Sequence, residues 1–137
     1  MLIIKPSSPM RKKPVETSDL ETECLFGESV KVIKKHSKWY YCKLLTDNYC
    51  GWIAKDDLTK HEPQTHRVVE IRTFIFQEKN IKANCIDYLP LGSLILVNDI
   101  SEHWAEIKLN DYYKSSIGYV PLKHIVPINF KINDWVS

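Results

Sequence analysis

The sequence predicts an all-β protein made of two tandem small antiparallel barrels packed on each other. The first observation is an echo: LFGESVKVIKKHSKW (residues 25–39) is answered 65 residues later by LPLGSLILVNDISEHW (89–104), each with a tryptophan twelve positions after its glycine, Gly27 to Trp39 and Gly92 to Trp104. The second is that the echo continues. Gly51-Trp52-Ile53 with Leu58 is matched by Gly118-Tyr119-Val120 with Ile125, now 67 residues apart, so a two-residue insertion in the turn NDYYKSS accounts for the shift. The third is a run of short segments rich in Val, Ile, Tyr and Trp, with no sustained helical periodicity.

The elements follow in order. Residues 1–14 hold Pro6, Pro9 and Pro14 and read as a leader, extended over the surface or disordered. The first barrel spans 15–59, with strands at 29–33, 39–44 and 51–54 separated by the turns His36-Ser37-Lys38 and Thr46-Asp47-Asn48. A linker at 60–66 falls in a polar stretch broken by Pro63. The second barrel spans 67–127, with strands at 68–76, 93–97, 104–109 and 118–121. A tail, 128–137, has no counterpart after the first copy. Units of roughly 50 to 60 residues are marginal alone, which is why the two are expected to pack together.

Composition narrows the function classes. The chain is 44% hydrophobic and 26% charged, and 19 basic against 17 acidic residues leave a formal charge of +2. That balance argues against a nucleic-acid binder. PMRKKP lies in the leader, and Lys31, Lys34, Lys35 and Lys38 surround a hairpin, as solvated faces do. No run reaches the roughly 18 apolar residues of a membrane helix. The opening MLIIKPSSPMRKKP puts its charges after its apolar patch, the wrong order for a secretory signal, so the expected location is cytoplasmic, with the cell envelope as the other possibility. Cys24, Cys42, Cys50 and Cys85 lack C-x-x-C spacing and read as small apolar residues of a reduced protein; Cys42 and Cys50 are placed to face each other across a hairpin. No metal or cofactor is implied.

Leu-Phe-Gly-Glu, an apolar strand, a strand opening on Trp39, Asp-x-Tyr-x-Gly-Trp-Ile (47–53) and the ending Asp56-Asp57-Leu58 together resemble bacterial SH3-like barrels. The two copies, joined by THRV and RTFIF (65–68 and 72–76), resemble the N-terminal pair in NlpC-type cell-wall endopeptidases, the γ-D-glutamyl-L-diamino-acid endopeptidases of the dipeptidyl-peptidase VI kind. In that family a papain-like domain with an Asp-Cys-Ser-Gly nucleophile follows the second barrel. This sequence holds no such motif and stops at Ser137, where NFKINDWVS resembles the entry to that domain. The expectation is a chain without catalytic residues of its own. None of its cysteines shows the helix N-terminal context that lowers a thiol's pKa beside a histidine.

The resemblance implies recognition. In the family the first barrel walls one side of the catalytic cleft and helps bind the free amine of the substrate's L-Ala. Tyr49 matches the family's tyrosine; for the acid, Asp19 is the first choice and Glu23 the second. A buried ammonium needs an anionic or phenolic acceptor, which a carboxylate and a tyrosine hydroxyl supply. The competing reading makes Tyr49 a turn residue packed over Trp52 and Asp19 a turn cap. Trp39 and Trp104, at matching positions, read as core or packing residues. Trp52, answered only by Tyr119, is the better surface candidate. Phe130, Ile132 and Trp135 are expected to dock the tail on a barrel or on a following domain.

The leading expectation is therefore the non-catalytic substrate-recognition or targeting part of a peptidoglycan stem-peptide cysteine endopeptidase. Its partners would be the stem peptide L-Ala-γ-D-Glu-diamino acid and a catalytic domain in cis or in trans. Two alternatives stand beside it: an independent wall-binding module, and an SH3-like protein-interaction module gripping polyproline-II peptides with Tyr40, Tyr41 and Trp52.

Overall fold

The computed structural model describes residues 1–129; the tail with Phe130, Ile132 and Trp135 lies outside the described residues. Among the described residues the fold is all-β and SH3-like, with two one-turn 3-10 helices, Lys55–Asp57 and Leu122–His124. The chain divides into two compact units, Met1–Glu62 and Pro63–Ser137.

The first unit contains β1 (Leu2–Ile3), β2 (Ser7–Arg11), β3 (Leu20–Leu25), β4 (Val30–His36), β5 (Trp39–Leu44), β6 (Cys50–Ala54) and β7 (Leu58–Thr59). Its five-stranded antiparallel sheet runs β3-β2-β6-β5-β4, and β1 pairs with β7. The second unit contains β8 (His66–Val68), β9 (Arg72–Phe76), β10 (Cys85–Pro90), β11 (Leu94–Ile95), β12 (Val97–Ile100), β13 (Trp104–Lys108), β14 (Ile117–Pro121) and β15 (Ile125–Pro127). Its main sheet runs β10-β9-β14-β13-β12, the same order in equivalent strands, and β15 pairs with β8 as β7 does with β1. The echo in the sequence thus falls on equivalent strands. Gly27 and Gly92 both have positive φ, 80° and 92°, at the turns entering β4 and β11. That backbone is open to glycine without the Cβ clash of other residues.

Alternation dictates the cores. Along β5 and β6, Cys42, Leu44, Gly51 and Ile53 point inward, while their neighbours are partly exposed. With Ile3, Met10, Cys24, Val30 and Leu58 they form one apolar cluster. Ile75, Leu89, Ala105, Ile107 and Val120 fill the second unit in the same way.

Three expectations need correction. The leader is not peripheral: β1 and β2 lie inside the first unit, β2 sits between β3 and β6, and Met10 is 0% exposed. Pro9 lies in this strand opposite Glu23 on β3, while β2 meets β6 at Arg11↔Trp52. The strand read over 68–76 is two strands broken by a bend at residues 70–71. Cys42 and Cys50 do not face each other: Cys42 is opposite Gly51 and Cys50 opposite Lys43, so their side chains leave opposite faces of the hairpin.

Candidate functional site

Tyr49 lies in the β5–β6 turn. Asn48 precedes it in the left-handed region, φ 62°, a conformation asparagine tolerates. Asn48 N–H donates to Leu44 O and Leu44 N–H to Tyr49 O, both at 2.8 Å, which pins the backbone and turns the tyrosine outward, 49% exposed. Asp19 lies just before β3. Its carbonyl accepts the Lys12 N–H at 2.9 Å, and its side chain is exposed.

Register relates the two. Arg11 is opposite Leu20 on one side and Trp52 on the other. Moving past Arg11 along β2 runs toward Asp19 on β3 and, antiparallel, back from Trp52 toward Tyr49 on β6. Asp19 and Tyr49 therefore leave the sheet at the same end. Glu23 does not: it is opposite Pro9, toward the other end, and its Oε2 accepts the Ser7 hydroxyl at 2.6 Å.

Trp52 sits between these ends on the outer face. It packs edge-on against Tyr41 at 5.2 Å and His36 at 6.2 Å, with Lys34 Nζ 5.5 Å from its ring centre. Its recorded ring neighbours are thus those two and not Tyr49. Lys34 also lies 5.1 Å from the Tyr41 ring and Lys35 5.0 Å from the Tyr40 ring, so two of the hairpin lysines are held over aromatics. Arg11 donates through Nη1 to Ser18 O at 2.9 Å, while its Nε is buried without a partner.

Below this face, Asp57 is buried and paired with Lys5, Oδ1 to Nζ 2.6 Å. Glu28, also buried, accepts the Leu25 N–H at 2.7 Å and the Thr46 hydroxyl, tying the turn that carries Tyr49 to the start of β4. Burial pushes the Cys24 thiol up to about 12, with the nearby Glu28 adding to it, and Cys42 up to about 11. That is the opposite of an activated nucleophile.

Sequence reading did not single out a groove of about 540 Å³ in the second unit, against which Phe74, Phe76 and Trp104 stand. The signal was present in RTFIF: alternation puts both phenylalanines on the outward face of β9, where core logic has no use for them.

An all-β unit with this strand order, a bent hairpin and a one-turn 3-10 helix before its last strand defines an SH3-like domain. Residues 10–58, within the first unit, match the family described as the bacterial dipeptidyl-peptidase SH3 domain, in keeping with the resemblance to NlpC-type enzymes. Among solved structures, an NlpC/P60 family protein from Bacillus cereus ATCC 10987 superposes with a TM-score of 0.70 at 12% identity, over 91% of this chain and 55% of that one. NlpC2 and NlpC1 from Trichomonas vaginalis are 17% and 16% identical over 95% of this chain and 46% and 44% of theirs, with TM-scores of 0.38 and 0.37. At such identities the likeness is one of fold, and this chain spans about half the length of the Bacillus protein. No curated protein matches. Among the described residues no helix is long and apolar enough to cross a membrane.

Proposed function

We propose that the chain is the substrate-recognition part of a peptidoglycan stem-peptide cysteine endopeptidase, with Tyr49 and Asp19 receiving the ammonium of the peptide's N-terminal L-Ala. The family match over 10–58 carries the reading. It is supported by an exposed Tyr49 and an exposed Asp19 at one end of the same sheet. Asp19 supplies the charge and the Tyr49 hydroxyl the direction. Glu23, already bound by Ser7, is the weaker acid for this role. The peptidase activity belongs to a catalytic domain in cis or in trans, and this chain contributes one wall of its cleft.

The test is NMR titration of the 137-residue chain with an L-Ala-γ-D-Glu-containing tripeptide. Shifts clustered at Tyr49 and Asp19 that vanish in Tyr49→Phe support the assignment. If restoring a catalytic domain still yields no binding that depends on Tyr49, the assignment is wrong. A second reading, docking on intact wall polymer, draws on the outward Trp52–Tyr41–Lys34 cluster. Retention on purified sacculi without any response to free peptide would favour it.

A further inference from the structure

The groove of the second unit is unlike anything at the matching place in the first. Phe74 and Phe76 rise from the outer face of β9, and Trp104 from β13 meets Phe76 edge-on at 5.6 Å, giving a rigid aromatic floor. Phe74 is 44% exposed, and Ile81, on the β9–β10 loop beside it, is more exposed still. The polar rim is cationic. Lys79 stands on the same loop, its Nζ 5.7 Å from the Tyr119 ring centre, and Lys123 on the one-turn helix Leu122–His124. His124 is anchored by Nδ1 to the Thr73 hydroxyl at 2.9 Å. His103 also lines the groove, but its Nε2 is 3.6 Å from the exposed Glu102, so the charge argument rests on the two lysines. No acidic side chain is among the described residues lining it.

The fold does not require this chemistry. Arg11↔Trp52 in the first unit occupies the place of Phe76↔Tyr119 in the second, which puts Pro9 where Phe74 stands and Asp56 and Asp57 where Lys123 and His124 stand. The same architecture is thus built with acids in place of Lys123 and His124 and with fewer aromatics. An exposed aromatic patch rimmed by lysines, with no acid among the described lining residues, is the kind of surface that marks an interaction site.

The geometry points to a binding site in the second unit for a carboxylate-rich peptide, whose apolar side chain enters between Phe74, Phe76 and Trp104 while its acids meet Lys79 and Lys123. The volume lies within the range of small-ligand and peptide-anchor pockets. Charge complementarity selects the sign of the partner, and the aromatic floor selects an apolar anchor over a bare polyanion. The site is independent of Tyr49, so it stands or falls apart from the role proposed for the first unit.

The probe is the capped pentapeptide Asp-Leu-Glu-Leu-Asp, titrated into the 137-residue chain and followed by amide shifts, with Lys-Leu-Lys-Leu-Lys and inorganic polyphosphate as comparisons. The expected result is shifts at Phe76, Ile81, Trp104 and Lys123 with the acidic peptide and none with the basic one. Affinity should fall ~10-fold or more in Lys79→Glu/Lys123→Glu, and should weaken as salt is raised in the unmutated chain. The salt series keeps the test decisive if the double variant misfolds. Silence at millimolar acidic peptide, equal response to the basic peptide, or shifts confined to the first unit overturns the proposal. Equal binding of polyphosphate overturns the peptide assignment in favour of a general anion surface.

Discussion

Met10 is where the N-terminal residues become indispensable, and the pair Met10–Gly51 allows that to be measured. Met10 is fully buried, and a Cβ built on Gly51 would stand 2.5 Å from Met10 Cγ, 3.2 Å from its Sδ and 2.9 Å from the Arg11 carbonyl oxygen. Met10→Ala deletes a buried side chain and should cost about 2–5 kcal/mol. A unit of about 62 residues has roughly 3–9 kcal/mol in total, so the variant sits near the threshold of folding. Gly51→Ala alone overpacks the same spot, at about 1–3 kcal/mol. Combined, the new methyl enters space that the methionine has left, and of its three nearest atoms the Arg11 oxygen remains. The double variant should therefore lose about 1 kcal/mol less than the two single losses added together. Urea denaturation, read by amide hydrogen exchange on β2, β3 and β6 so that the first unit is followed alone, completes the cycle. Additivity within about 0.5 kcal/mol, or a Met10→Ala cost below about 1 kcal/mol, would refute the packing described for β2.

Cys24 and Cys42 should resist alkylation in the folded chain at mildly alkaline pH while the exposed Cys85 reacts, which intact-mass analysis checks. The unfolded chain releases these two protons near 9.0 and the folded chain only near 12 and 11, so the folded state binds more protons in that window. Stability of the first unit should accordingly be unaffected by these thiols below pH 9 and fall as pH rises through it, visible as a falling urea midpoint. Gly92→Ala forces a Cβ into φ 92° and should lower the second unit's stability by about 1–2 kcal/mol, as a matched Gly27→Ala does in the first. Lys5→Met strands the buried Asp57 carboxylate without this ion pair, whereas Asp57→Ala leaves a partly exposed ammonium that water can reach; both costs should stay below the roughly 3–5 kcal/mol of a fully buried pair, and thermal melts should show Lys5→Met as the less stable variant.

The strands with inward apolar positions and aromatic neighbours were legible: 39–44 coincides with β5, and β4, β6, β13 and β14 differ from expectation only at their ends. What escaped were strands whose pattern is set by partners far along the chain. In β2 the inward residues are Ser8 and Met10, a small polar residue and a flexible one, split by a proline; only the proximity of β3 and β6 reveals them as core. β3, with glutamates at 21 and 23 and an exposed Leu20, is an edge strand, and β10 is its counterpart at the edge of the second sheet. Of the candidate site, the exposure of Tyr49 followed from its place after a turn. Its relation to Asp19 did not, because it depends on the register of β2, the strand read as leader.

The pairing of β1 with β7, and of β8 with β15, has a mechanical consequence. Leu2 is opposite Thr59 and His66 opposite Pro127, so in each unit the incoming and outgoing chain leave side by side from the same edge. Tension applied through the flanking chain loads these short pairs end-on, one hydrogen bond at a time, rather than along the strands together. Each unit should open under force like a zipper from its termini, surrendering its last strand first, since the first strand is also held on its other side, Leu2 by Ser29 and β8 by β11.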